Sequence, residues 1–167
     1  MRINKNKRAQ EIFGLSFSVI FSIILIIFFI VVAFIVIRTF LNTQKCAQVG
    51  LFVKDFETEI DKAWQSDSYN SEFQSKLPTN LDYICFANLN NRLDDNPVSF
   101  SIEVFDKEDN LFFYPVEKAC DIPNHILKHI DLDKITSLKN PYCINIENGV
   151  IKIQIEKGFS DKLVSLR

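Results

Sequence analysis

Glycine is scarce in this chain, with four in 167 residues. That excludes a glycine-rich flexible stalk, and without a low-complexity tract or internal repeat the sequence reads as a folded unit. Two enzyme signatures are missing as well, the phosphate-binding glycine loop and the G-x-S-x-G elbow. No two cysteines are close enough in sequence to form the short pair that usually nucleates a zinc site. Acids are absent from the first ten residues, and charge of either sign is absent from Ile12 to Ile37. Proline is absent from residues 11 to 66, where the only glycines are Gly14 and Gly50, so nothing there breaks a helix.

What fills the uncharged run is isoleucine, valine, leucine and phenylalanine. At about 1.5 Å per residue it is long enough to cross a hydrocarbon core of about 30 Å, which predicts a membrane span with the lipid bilayer as partner. No small-residue cleavage site follows Ile37, so the span is expected to stay in the chain. Arg2, Lys5, Lys7 and Arg8 precede it, and only Arg38 and Lys45 follow closely. That bias keeps the N-terminus in the cytoplasm and puts the remainder outside. Removing those four bases and Glu11 from 19 bases and 21 acids leaves 15 against 20. An acidic outer part argues against a nucleic-acid partner, whose phosphates require a basic surface.

Beyond the span, Val49, Phe52, Val53, Phe56, Ile60, Ala63 and Trp64 recur at three- and four-residue steps, with charged residues between them. This is an amphipathic helix, and it continues the span without a breaker. Residues 66–80 are polar and read as a loop with one helical turn at Glu72 to Lys76. Strands are expected at Leu81–Ala87, over the alternating Val98, Phe100, Ile102 and Val104, and at Leu111–Val116. Asn148-Gly149 marks a hairpin in which Ile146 faces Ile151 and Ile144 faces Ile153. Asp121-Ile122-Pro123 looks like a helix start, with Ile122, Ile126, Leu127 and Ile130 as its stripe. The expected class is α+β: a long N-terminal helix packed against an antiparallel sheet of about five strands. Its divisions are a basic leader (1–9), the transmembrane helix (10–37), its amphipathic continuation (38–66) and an extracytoplasmic head (67–167).

Cys46, Cys85, Cys120 and Cys143 all fall on the outer side, where an even count suggests two disulfides with three connectivities. Cys120 with Cys143 is favoured because they bracket one segment; buried free thiols are the alternative. His125 and His129 could join Cys120 and Cys143 in a Cys2His2 metal set, against the ordinary reading of an exposed histidine pair. Asp94 with Asp95, and Asp131 with Asp133, could bind a cation but more often start turns or cap helices. No nucleophile or cofactor motif stands out, so an enzyme is not expected. Gly14, Ser18 and Ser22 lie four apart on one strip of the span, where a second copy's helix could approach closely; small residues common in membrane helices are the equal alternative.

The segment KRAQEIFGLSFSVI resembles the short prepilin-type leader of archaeal type IV pilin-like proteins. The resemblance implies a cut by a prepilin peptidase between Ala9 and Gln10, after the basic pair Lys7 and Arg8. It further implies a homo-oligomer assembled through the N-terminal helices into a surface filament or pseudopilus. Where many pilins carry a glutamate at the fifth mature residue this chain has Gly14, and the nearest acid is Glu11. LDYICF and NPYC in the cysteine-bearing head are similar to single-pass membrane proteins of archaea. The alternative is an uncleaved, membrane-anchored ectodomain that binds a protein partner at the cell surface.

Overall fold

The computed structural model describes residues 17–167, and helix α1 (Phe17–Gln65) opens them. The leader residues Lys7, Arg8, Ala9 and Gln10, together with Gly14, lie outside the described residues, as does the side chain of Ser18. The chain divides into two compact units, residues 1–42 and 43–167.

In the first unit, α1 is apolar all round. From Phe17 to Ile37 it covers about 31 Å at 1.5 Å per residue, close to the thickness of a bilayer core. Its described side chains from Val19 onward are exposed on every face. A helix of this kind has no partner in water and is a candidate single membrane span. Near its end Arg38 lays its guanidinium 4.2 Å over the Phe34 ring, a cation held on an apolar stem.

In the second unit the helix becomes one-sided. Val49, Phe52, Val53, Phe56, Ile60 and Ala63 are buried, while Lys54 and Asp55 between them face out. Two antiparallel sheets pack with this stripe into one core. The first has strand order β1-β6-β7, from β1 (Tyr69–Lys76), β6 (Val150–Lys157) and β7 (Ser165–Leu166). The second has order β4-β3-β2-β5, from β2 (Tyr83–Phe86), β3 (Leu111–Tyr114), β4 (Asn124–His125) and β5 (Tyr142–Asn145). The class is therefore α+β as expected, with the strands split between two sheets.

Side-chain alternation assigns the faces. In β6, Ile151, Ile153 and Ile155 are fully buried while Lys152 faces out. β2 and β3 do not alternate: Ile84, Cys85 and Phe86, and likewise Leu111, Phe112 and Phe113, are all fully buried. The second sheet is covered twice over. Ile84, Phe86, Leu111 and Phe113 join the α1 core, while Cys85 and Phe112 meet Ile102 and Ala87 in a smaller cluster. This explains why YICF and LFFY are unbroken apolar runs.

Several local expectations are overturned. Residues 69–76 form a full strand rather than a loop, paired with β6 along eight residues from Tyr69↔Lys157 to Lys76↔Val150. The alternation is there, but serine fills half of the inward positions, so it does not read as a strand. The segment 97–102 is a helix, α2 (Pro97–Ile102), not a strand. Asn96 caps it by accepting the Ser99 amide at 3.0 Å, and Pro97 at the first turn favours helix over sheet. The stretch after Asp121 forms no long helix. It runs extended through β4, and Cys120 and His129 adopt positive φ of 60° and 66°. The Asn148-Gly149 turn is present, with φ of 53° and 73°, and Glu147 and Val150 exchange backbone hydrogen bonds at 2.9 Å. Its two strands then part, so the expected Ile146–Ile151 and Ile144–Ile153 pairs do not form. Ile144 pairs with Ile84 and Ile153 with Phe73.

Phe56 is fully buried and touches the rings of Phe52, Phe73 and Phe86 at 5.4, 5.1 and 6.1 Å. Phe56→Ala should therefore destabilise the head by about 3–5 kcal/mol, read from a denaturant midpoint that falls at unchanged slope.

Candidate functional site

The candidate residues fall in separate regions, one in each unit. In the first unit the helix-packing strip is represented among described side chains by Ser22 alone, which lies on an exposed face of α1. The second unit holds the cysteines, the histidines and the paired carboxylates.

All four cysteines are bonded, as Cys46–Cys120 and Cys85–Cys143. The favoured pairing of Cys120 with Cys143 is therefore wrong. Cys85 and Cys143 sit opposite each other in the β2–β5 register, so the bond staples neighbouring strands. Cys120 instead lies beside the start of the head's helix. The Cys2His2 reading fails on the same observation, because both sulfurs it needs are already in different disulfides. Among the described residues no group of three metal-ligating side chains comes together.

What the histidines do becomes clear from the segment they occupy. From Cys120 the chain follows α1 in the same direction. Cys120 is bonded to Cys46, Ile122 lies over Gly50, His125 Nε2 reaches Glu57 Oε1 at 2.8 Å, and His129 Nε2 is 3.9 Å from Asp61 Oδ1. The His129 ring also stacks on Trp64, with centroids 3.8 Å apart and planes 15° from parallel. Trp64 is thus half-exposed rather than a core residue, its ring covered by an imidazole. The histidines fasten a strap along the helix. From behind, the buried Asn110 holds the same strap in the manner of a strand neighbour. Its Nδ2 donates to the Leu127 carbonyl at 2.9 Å, and its Oδ1 accepts the Leu127 amide at 2.8 Å.

Of the paired carboxylates, Asp131 takes the ordinary role and caps the short helix α3 (Leu132–Ile135) through the Lys134 amide, whereas Asp94 accepts the Asn140 amide and Asp133 accepts from Asn88, each tying together distant segments. Asn140 was not singled out from the sequence, yet it is buried and accepts the Asn88 amide while donating to the Asn88 and Arg92 carbonyls. An asparagine before a proline reads as a turn, and nothing local signals that its amide closes a distant loop.

Glu59 on α1 is held by two donors. Hydrogen bonds from Lys62, at 2.9 Å, and from the Tyr69 hydroxyl hold its carboxyl below the usual range, and Tyr69 is pushed up by the same contact. The trio joins α1 to the first residue of β1. Asp161 is also lowered, by the Gly158 amide at 3.1 Å and then by Lys134.

No protein-family model, curated protein or solved structure matches this chain.

Three outcomes are expected. Alkylation of the native protein should label no cysteine, whereas reduction should add four hydrogens and expose four reactive thiols. Replacing Cys46 and Cys120 together by serine should cost about 2–5 kcal/mol, because that bond closes the longer loop, 74 residues in separation. A depressed carboxyl stabilises the fold above its unfolded pKa of about 4.3 and loses that contribution as pH falls through the folded value. Glu59→Gln should therefore reduce stability at pH 7 and flatten its decline below about pH 5, as measured by denaturant titration across pH.

Proposed function

We propose that the chain is a structural, pilin-like subunit: anchored by α1, cut between Ala9 and Gln10 by a prepilin peptidase, and assembled through its N-terminal helices into a surface filament or pseudopilus. The observation that carries this reading is the helix itself. One unbroken element, Phe17–Gln65, is apolar on all sides in its first part and supplies the central core stripe of an α+β head in its last. A simple tether needs only the first property. A subunit whose helix serves both as anchor and as head scaffold needs both.

The basic flank of Arg2, Lys5, Lys7 and Arg8 supports a cytoplasmic N-terminus with the head outside. Two disulfides fit an oxidising exterior. The strip of Gly14, Ser18 and Ser22 gives a neighbouring helix a place to approach, since small residues let backbones come close where bulky isoleucine would hold them apart. Without a glutamate at residue 14, registration between subunits in this reading rests on helix packing rather than on a buried carboxylate.

The deciding measurement is the intact mass of the protein purified from its native host. A chain lacking residues 1–9 is expected, and Ala9→Phe should block the cut and leave the precursor in the membrane. A full-length native chain would overturn the reading in favour of an uncleaved, single-pass ectodomain that binds a protein partner at the cell surface.

A further inference from the structure

The loop after α3 and the edge strand β7 enclose an open cavity of about 560 Å³, a volume within the usual range for small-molecule sites. Its floor is apolar, built from the buried side chains of Ile135 and Leu166. Three bases line it, Lys134, Lys139 and Arg167, and no acid does. That composition runs against the rest of the head, where acids outnumber bases. Neighbouring cavities mix the signs: the one beside α2, about 520 Å³, is walled by Asp94, Asp95 and Glu103 as well as Arg92 and Lys107, the one beside the histidine strap by Glu57 and Asp61 with Lys128, and the one beside β6 by Glu147 and Lys152.

The bases are not fully matched by neighbouring acids. Lys134 meets Asp161 at 3.4 Å and Arg167 Nε meets Glu156 at 3.6 Å, both at the solvent boundary, where an ion pair is weak. Arg167 carries five guanidinium donors, more than one carboxylate contact uses. Lys139 makes no ion pair among the described residues. At the rim, Leu138 is 95% exposed, an apolar side chain held in solvent beside the cationic wall.

We infer that this cavity binds an amphiphilic anion, with a phosphate or carboxylate head between Lys139, Lys134 and Arg167 and a short apolar tail against Ile135, Leu166 and Leu138. Charge complementarity selects the head, since a cationic wall in an acidic domain attracts an anion while the surrounding surface repels it. The apolar floor selects the tail, because covering it removes hydrocarbon from water on both partners. Arg167 and the lysines divide the work: the guanidinium grips two oxygens at once, and the lysines supply point charges that adapt to the head group. The inference goes beyond the filament-subunit reading and does not depend on it, since the cavity lies within the head unit and needs no cut after Ala9.

The test uses the full chain in nanodiscs of neutral phosphatidylcholine, with hexyl phosphate as probe and the methyl resonances of Ile135, Leu138 and Leu166 as readout. Saturable shifts are expected with hexyl phosphate, and binding at least roughly tenfold weaker with hexanol and with inorganic phosphate, each of which keeps one half of the recognition. Lys139→Glu should weaken binding by a similar factor, and Lys139→Gln by less. Lys139 is exposed, so the fold should survive either substitution, as unchanged methyl shifts in the α1 core would verify. Vesicles containing phosphatidylglycerol identify the source: the same shifts with vesicles mark a lipid head group, and shifts with hexyl phosphate alone mark a soluble amphiphile, either of which supports the site. Absence of saturable shifts, hexanol binding as tightly as hexyl phosphate, or full binding by Lys139→Glu would overturn it. The native mass is unaffected by any of these results, so failure here and failure of the filament reading are separate events.

Discussion

The head is organised around two phenylalanine rings on one helix. Phe52 and Phe56 stack 5.4 Å apart on α1, and each reaches across to both sheets. Phe52 meets Phe73 of the first sheet at 5.9 Å and Phe113 of the second at 5.8 Å; Phe56 meets Phe73 at 5.1 Å and Phe86 at 6.1 Å. The sheets share no ladder, and the Asn148-Gly149 turn leads the chain from one to the other. The helix stripe is therefore the common surface on which both close. Aromatic side chains suit this position, because each buries a large area with few rotatable bonds and contacts several neighbours at once.

The two disulfides act on different parts of this arrangement. Cys85–Cys143 joins strands that are already paired, so it reinforces a ladder. Cys46–Cys120 instead brings the strap to the helix, and the strap has few backbone partners of its own there. Ile122, His125 and His129 follow along α1 at Gly50, Glu57 and Asp61, and Trp64 closes the series. Each contact after the disulfide is individually modest, since exposed ion pairs contribute little and the imidazole stack is half-exposed. They work together because the covalent bond, the β3–β4 ladder and the Asn110 pair already limit the chain freedom they would otherwise have to overcome.

Much of this could be read from the residues, and the failures have physical causes. The helix was legible because its pattern is strong over many turns, and the Asn-Gly turn because both residues tolerate positive φ. Strand β1 was not, since Ser71 and Ser75 stand at inward positions beside Tyr69 and Phe73. An edge strand needs only part of its inner face apolar. The helix α2 was hidden by V-S-F-S-I, which alternates as a strand would; Asn96-Pro97 carried the correct signal, and capping outweighed alternation. The stretch Ile122–Ile130 shows helical spacing, yet Cys120 is held by Cys46 and Asn110 pairs with Leu127, and those tertiary contacts draw it out. The disulfide partners were out of reach for the same reason, because Cys46 and Cys120 become neighbours only once the strap's path along α1 is known. Asn110, Asn140 and the cation-lined cavity carry no sequence motif at all. They exist only where distant segments meet.

The strap changes what the helix is for. A membrane tether can be exchanged for another without consequence to the domain it carries, but here Cys46, Gly50, Phe52, Phe56, Glu57, Glu59, Asp61 and Trp64 are all structural parts of the head. Contacts to both sheets, to the strap and to the start of β1 are spread along this stretch on more than one face of α1. The head's core begins within the same helix that supplies the apolar run, at Cys46, the first residue fixed covalently to another part of the domain. Selection on that stretch must satisfy packing on one side, a disulfide at its start and polar contacts along its flank. The uncharged run before Ile37 faces a different demand, apolarity all round. The change from one demand to the other falls between Arg38 and Val49, where the residues turn mostly small or polar and the helix continues without a proline or glycine to break it.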